Sequence, residues 1–508
     1  MANRSGASRS ASLSLPRPLW PTASWSSAPT TAPSTPSAQS NIVLVLVPRP
    51  RNRGGERPAE PRTRTRDEDD DEGKGDKRDP LVRIVYLMPG AGGSFYCENC
   101  LRDAALIRTL AQLGHDPLMV PLYLPLRIDE PASVPASPVF FGGINVYLQQ
   151  KSAFFRKAPR WLTRILDAPF LLRWAARQAG MTRAQDLAET TLSMLRGEEG
   201  HQAAELDRLI AWLAAEQRPD IASLSNCLLI GVARRMKERL GVPIVCALQD
   251  EDIFLDGLPE PQRGQAYEAI AERAGDVDAF IAVSRYYADL MIERLRLPPQ
   301  KVHVVYNGIP AEGYEPAPEP PRPPAIGFLE RLCREKGFDV LAEAFLLLPN
   351  RLTGTRLRLA GGWTSADEPL LAEVRRRLAD NVSRHEFEFL PNLQRAERQA
   401  FLRTLSVLSV PARHPEAFGM YVIEALAAGV PVVLPRRGAF PELVEATGGG
   451  VLYDGDGPEP LAAELAELLT HPERARELGA RGREAVLRDF RVEVTARNSI
   501  AIYQSLLT

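Results

Sequence analysis

Two glutamates with seven residues between them, Glu416 and Glu424, stand in the segment His414-Pro415-Glu416-Ala417-Phe418-Gly419-Met420-Tyr421-Val422-Ile423-Glu424-Ala425-Leu426-Ala427-Ala428-Gly429-Val430-Pro431. Carboxylates accept hydrogen bonds from hydroxyls, and neutral sugars carry many hydroxyls. A Glu pair taken alone is more commonly solvated surface charge. Here Gly419 lets backbone approach a ligand, and a helix runs from it to a stop at Gly429. The free amides and dipole at the start of that helix suit a diphosphate. A second constellation lies in Gly327-Phe328-Leu329-Glu330-Arg331-Leu332-Cys333-Arg334-Glu335-Lys336-Gly337-Phe338. Arg331 offers a planar fork and Lys336 a mobile point charge, two ways to neutralise phosphate oxygens, while Arg334 reads as solvated. A basic loop by itself is ordinary surface, so the weight rests on the combination.

The elements that must position these side chains follow from the periodicity. From Val82 onward short apolar runs alternate with helical stretches, the pattern of a parallel sheet covered on both faces. The spacing predicts strands at Val82 to Met88, Leu118 to Leu122, Ile221 to Leu224, Ile244 to Leu248, Phe280 to Val283 and Val302 to Tyr306. Helices are expected with Leu106, Leu110 and Leu113 on one face, closed by Gly114, and from Leu229 to Leu240. A proline cluster, Pro316 to Pro324, makes a semi-rigid linker. Beyond it the alternation restarts at Ala325 to Phe328, with a helix at Phe338 to Leu347. Further strands are expected at Leu357 to Leu359, Phe387 to Leu390, Val407 to Val410, Val430 to Leu434 and Gly450 to Tyr453. The fold class expected is α/β: two doubly wound Rossmann-like domains facing each other across a cleft, 81–315 and 316–488. A closing helix, 489–508, with Ile500, Tyr503 and Leu507 at helical spacing, returns to brace the first domain. Ligands of such sheets bind outside the carboxyl ends of the strands.

Length and composition agree: 508 residues allow two or three domains, and 44% hydrophobic with 25% charged residues is a globular composition. With 62 basic against 64 acidic side chains, no nucleic-acid partner is implied. Five cysteines make no disulfide framework, so a cytoplasmic setting is expected. No apolar run approaches the roughly 20 residues of a membrane span, and the amino-terminal stretch lacks the apolar centre of a signal peptide. Residues 1–80 are Ser/Pro/Thr-rich, then Pro/Arg-rich, then acidic from Asp67 to Glu72. They read as a disordered extension, or as sequence upstream of a misplaced start.

At these residues the chain resembles the family 4 glycosyltransferases of the GT-B fold. The resemblance covers nearly everything from Val82 onward. It includes the Ser284-Arg285 turn after Ala279-Phe280-Ile281-Ala282-Val283, Tyr306-Asn307-Gly308-Ile309, Ala360-Gly361-Gly362 and the Glu416/Glu424 segment. It implies that Arg331 and Lys336 hold the diphosphate of a nucleotide-sugar donor, that Glu416 contacts the donor sugar and Glu424 the ribose. Retention of anomeric configuration and no metal or other cofactor are implied as well, with a UDP-sugar favoured over a GDP-sugar. Breaking the anomeric bond places negative charge on the departing diphosphate, so fixed cations stabilise the transition state more than the ground state. Arg331, Lys336 and Glu416 are accordingly the catalytic candidates. Gly92, Gly93, Phe418, Gly419, Met420, Glu424 and Leu390 are the donor-binding ones. Where family members often carry a histidine this chain has Gln249, followed by Asp250; a glutamine cannot act as a general base but can orient the acceptor or the sugar, and both residues are expected to line the acceptor side. The acceptor itself, a glycan, a lipid-linked or a small molecule, is left open.

Rival features are weighed beside this. Asp250-Glu251-Asp252 and Asp454-Gly455-Asp456 have the look of a metal-binding triplet, but the second has turn composition and the first falls in the acceptor loop. Cys97-Glu98-Asn99-Cys100 lacks a second ligand pair for zinc, so small residues beside the donor loop are the plainer reading, against a dithiol. Residues 154–178 mix aromatic and apolar side chains with arginines, either a lid packed on its own domain or a peripheral contact with the inner membrane face. Alternatives on the same fold are an epimerase, a phosphorylase or a sensor that binds a nucleotide-sugar without turning it over.

Overall fold

The computed structural model describes residues 80–89, 98–122, 184–381, 386–390 and 393–508. All of them belong to one compact unit, 77–508. The extension expected over 1–80 (but for Pro80), the loop with Gly92, Gly93 and Cys97, and the stretch 154–178 lie outside the described residues.

Two parallel six-stranded sheets form the frame. The first holds β1 (Arg83–Met88), β2 (Asp116–Pro121), β3 (Ile221–Leu224), β4 (Ile244–Leu248), β5 (Ala279–Ala282) and β6 (Val302–Val304), in the order β2-β1-β3-β4-β5-β6. The second holds β7 (Ala325–Leu329), β8 (Arg356–Ala360), β9 (Glu386–Leu390), β10 (Val407–Leu408), β11 (Val432–Pro435) and β12 (Gly450–Tyr453), in the order β12-β11-β10-β7-β8-β9. Every described ladder is parallel. Strands such as β3, β4, β7 and β11 are buried at each position because helices cover both faces, which is why they read as unbroken apolar runs.

The order of the second sheet reverses at β7, which has β10 on one side and β8 on the other. Loops leaving the carboxyl ends of β7 and β10 therefore diverge to opposite faces and open a crevice between them. The loop after β7 carries Arg331 and Lys336, and the loop after β10 carries Glu416. Topology alone thus brings the two constellations together.

Several boundaries differ from the sequence pattern, each for a local reason. Strand β10 pairs over only two residues, and β11 begins after Pro431, which has no amide hydrogen and enters the ladder only as an acceptor from Leu408 N. The helix expected over Leu229 to Leu240 is a 3₁₀ stretch, Cys227–Val232, capped by Asn226, leading into an α-helix, Ala233–Leu240. Leu113, expected on the buried face of the helix Glu98–Gln112, is exposed because the helix has already ended.

A second apolar cluster explains how the last helix, Val492–Ser505, is held. Ala496, Ile500 and Tyr503 pack with Ile84, Tyr86, Leu106 and Leu110 from the first sheet and its first helix. Tyr503 adds a hydrogen bond between its hydroxyl and Ser223 Oγ, 3.1 Å apart. The carboxyl-terminal segment, after passing through the second sheet's layers, is thus part of the first sheet's core. Truncating Ile500, 5% exposed, to alanine should destabilise the fold by about 2–5 kcal/mol. Calorimetry checks this: an unfolding midpoint within experimental scatter of the parent's would mean that the helix is not integral to that core.

Candidate functional site

The cavity in the crevice has a volume of about 410 Å³ and is lined by Arg331, Lys336 and Glu416 together with Ile253, Thr364, Leu393, Arg398 and His414. That size suits a nucleotide-sized ligand. Among the described residues, Ile253 is its one lining residue from the first half of the chain; the others come from the second.

Lys336 and Glu416 meet inside it. Lys336 Nζ donates to both carboxylate oxygens, at 2.7 Å and 2.9 Å, and Glu416 is 1% exposed. Burial pushes the Glu416 carboxyl up to about 7; Lys336 pulls against that, while Asp250 and Glu330 push further up. The loop geometry depends on Gly337. Its φ is +75°, and a Cβ there would fall 2.0 Å from the carbonyl oxygen of Pro411, so no other residue lets the loop after β7 lie this close to the loop after β10. Arg413 locks the same contact with two hydrogen bonds to Asp339, at 2.7 Å and 2.9 Å, and Arg413 N donates to Glu335 O. Arg331 is half-exposed at the rim, 3.8 Å from Glu335. Gly419, at φ +94°, turns the chain into the helix Met420–Ala427.

Glu424, expected at the donor ribose, is 3% exposed. Its carboxylate is buried and accepts from Tyr314 Oη at 2.5 Å and Arg398 Nη2 at 3.2 Å. Phe418 is also turned inward: its ring stacks with Tyr306 and Phe490, at centroid distances of 6.4 Å and 6.3 Å. Met420 is buried at the start of its helix, and Leu390 ends β9 with its carbonyl accepting from Gly361 N. None of Leu390, Phe418, Gly419, Met420 or Glu424 lines the cavity. Gly92 and Gly93 lie outside the described residues.

On the other side of the crevice, Gln249 is buried and its carboxamide is engaged by Arg102 and by the carbonyl of Ser225. Its side chain therefore supports the sheet end instead of presenting itself to an acceptor. Asp250 reaches across the crevice, where its Oδ1 accepts from Ala417 N at 3.0 Å. Burial raises its carboxyl too, against Lys336. Ser284 Oγ donates to Ala417 O at 2.6 Å, so the two halves clasp the residue next to Glu416.

The acidic triplets are structural. Glu251 accepts from Cys227 N, Gln249 N and Tyr287 Oη, and Asp252 accepts from Tyr287 Oη. Asp454 and Asp456 are exposed and pair with Arg436 and Arg437. Among the described residues no group of His, Cys, Asp and Glu is arranged to hold a metal ion. Arg398 and Tyr314 were not legible as site residues, because their partner Glu424 is 26 and 110 positions away and no local motif marks them.

Comparison with known proteins agrees with this arrangement. The model of a family described as Glycosyl transferases group 1 matches residues 315–485, and that of Glycosyltransferase Family 4 matches 174–312. The chain is 30% identical over 291 residues to a D-inositol 3-phosphate glycosyltransferase of Segniliparus rotundus, covering 54% of this chain and 63% of that one. It is 31% identical over 179 residues to a GDP-mannose-dependent alpha-(1-6)-phosphatidylinositol monomannoside mannosyltransferase of Mycobacterium tuberculosis, covering 34% and 45%. The matched stretches thus span less than two thirds of these relatives' lengths. In fold, the chain is similar to Anabaena Alr3699/HepE in complex with UDP, with a TM-score of 0.57 at 16% identity over 84% of this chain and 100% of that one. A sucrose-phosphate synthase from Thermosynechococcus elongatus gives 0.61 at 17% identity, over 83% and 98%. With two glycosyltransferase family models matched in turn along its two sheets, the chain belongs to the group 1 and family 4 glycosyltransferases of the GT-B fold.

Proposed function

We propose that this protein transfers a hexosyl unit from a nucleoside diphospho-sugar to an acceptor hydroxyl, with retention of anomeric configuration and without a metal. The observation that carries the reading is the Lys336–Glu416 pair, with Arg331 at the rim, in one cavity at the reversal point of the second sheet. As the anomeric bond breaks, its electron pair passes to the diphosphate oxygen, the acceptor oxygen bonds to the anomeric carbon, and the acceptor's proton leaves on the departing diphosphate. Arg331 and Lys336 neutralise that charge, and the amides at the start of Met420–Ala427 add to the positive field. Lys336 then exchanges Glu416 for phosphate, and the freed carboxyl contacts the sugar hydroxyls. A uridine donor is the first choice, in keeping with the UDP complex of a similarly folded protein; guanosine is the alternative, in keeping with a relative named as GDP-mannose-dependent. The acceptor class suggested by the relatives' names is a cyclitol phosphate or its glycosylated lipid, beside other glycans. We place the protein in the cytoplasm, with 154–178 as the candidate contact with a membrane surface. Among the described residues no helix is long and apolar enough to cross a membrane.

Incubating the protein with UDP- and GDP-hexoses, with and without inositol phosphates, tests the assignment. Released nucleoside diphosphate and a glycosylated product support it; an epimerised donor, or tight binding without turnover, overturns it. Activity should survive chelation, and its loss in EDTA with recovery on adding magnesium or manganese would refute the metal-free part.

Lys336→Ala should lower kcat about 10²–10³-fold, as for loss of one group that stabilises developing charge. Glu416→Gln separates the two roles of that residue. Transfer should fall by a comparable factor, yet binding of UDP without a sugar should be unchanged or tighter, because Lys336 no longer has a competing carboxylate. Calorimetric titration measures this, and weaker UDP binding by the variant would contradict the exchange.

The pH dependence has a definite sign. A carboxyl raised from the ordinary value of about 4.3 to about 7 holds its proton more tightly in the folded state. Its contribution to stability is complete below about pH 4 and is lost as the pH rises through about 7. The unfolding midpoint of Glu416→Gln should therefore gain on the parent's between pH 5 and pH 8. A difference independent of pH would show that Glu416 is ionised throughout.

A further inference from the structure

The loop after β11 fixes the main chain of two residues in the loop after β10. It carries Arg437, whose Nη1 donates to Arg413 O at 2.9 Å and whose Nη2 pairs with Asp456. From the same loop Ala439 N donates to Glu416 O at 2.9 Å. Gly438 between them has φ +57°, and a Cβ there would lie 2.5 Å from Glu416 N, so only glycine lets the two loops pass this closely. Arg413 and Glu416 are thus fixed to one support.

Arg413 carries that support to the loop after β7, on both sides of Lys336. Its amide donates to Glu335 O at 2.8 Å and its Nη1 to Arg334 O, the carbonyls that precede the lysine. Its guanidinium fork closes on Asp339, beyond the lysine, at 2.7 Å and 2.9 Å. Asp339 is 8% exposed and stands in the first turn of the helix Phe338–Leu346, where a carboxylate is favoured. A planar fork held by two oxygens has one orientation, which a lysine in its place would not have. The Arg413 side chain is 38% exposed, and ion pairs so open to water add little to folding stability. What these bonds to one short stretch do is set its geometry. Arg413 does not line the cavity, whereas Lys336 and Glu416 do.

We propose that Arg413, through Asp339 and the carbonyls of Arg334 and Glu335, is a positioning residue that sets the ammonium of Lys336 for the charge that develops on a departing diphosphate. The inference rests on the donor reading above, with Lys336 at the diphosphate. It gives an arginine outside the cavity a share in the rate, without any contact between that arginine and the substrate. A fixed cation stabilises a transition state only where the charge appears, so a displacement of about 1 Å removes much of its effect.

A double-variant cycle on the full chain tests this. Release of nucleoside diphosphate from UDP- and GDP-hexoses, with and without inositol phosphates, is measured for the parent, Arg413→Lys, Lys336→Ala and the double variant. Arg413→Lys should lower kcat about 10- to 100-fold, the scale of a small misplacement. The donor KM should change far less, because the interaction it weakens is strongest in the transition state. In the Lys336→Ala background the same substitution should cost nothing further. An unchanged kcat in Arg413→Lys overturns the inference, as does a loss of the same size with and without Lys336, which is what a merely structural role gives. If thermal unfolding shows that Arg413→Lys does not fold, Asp339→Asn is measured in its place and read by the same criterion. These failures leave the donor reading standing, because it is the parent's turnover that bears on it. A parent that releases no nucleoside diphosphate from either donor overturns the donor reading and this inference with it.

Discussion

A carboxylate that is 1% exposed must find a positive partner or give up its charge, and Glu416 has both options within reach. Removing an ion of this kind from water costs several kcal/mol, and breaking one side of a buried pair leaves that cost uncompensated. The structure therefore depends on the loop after β7 and the loop after β10 meeting closely enough for Lys336 to reach Glu416. Parallel strand order brings them to the same crevice. Gly337 then permits backbone contact with Pro411, and the two bonds from Arg413 to Asp339 hold that contact. The lysine is thus already occupied by an anionic group of the protein, and its positive charge is held at a fixed place in the cavity.

The same logic explains which parts of this arrangement could be read along the chain. β3 and β4 have the same limits in the structure as in the apolar pattern, because both faces of each strand are covered and polar or turn residues follow at once. Arg331, Lys336 and Glu416 were legible for a related reason: each lies in a strand-loop-helix segment whose glycines act locally. What periodicity does not encode is where a loop side chain turns after it leaves the strand. Gln249 and Phe418 stand in the right loops, yet one is drawn down to Arg102 and the other into the rings of Tyr306 and Phe490. Glu424 stands on the right helix, but the donors that orient it come from the linker and from the helix Arg395–Leu402. Such long-range pairings leave no spacing to recognise.

Contacts across the crevice show how the first half of the chain bears on a cavity built mostly by the second. Asp250 adopts φ 58°, a left-handed conformation unusual for a residue with a side chain and costing about 1–3 kcal/mol. The conformation is held because it delivers the carboxylate to Ala417 N, on the opposite side. Ser284, which caps the helix Arg285–Leu295 by accepting from Tyr287 N, donates its own hydrogen to Ala417 O. Glu442, from the second half, accepts from Arg285 N, Tyr286 N and Tyr306 Oη, so it too sits at the amino end of that helix, where a negative charge is favoured. Three carboxylates or hydroxyls from different elements thus converge on the main chain beside Glu416 and on one helix end. Any change in the separation of the two sheets must break these bonds before it can move the cavity. Because Ala417 follows Glu416 directly, the first residue to feel such a change is the one whose carboxylate holds Lys336.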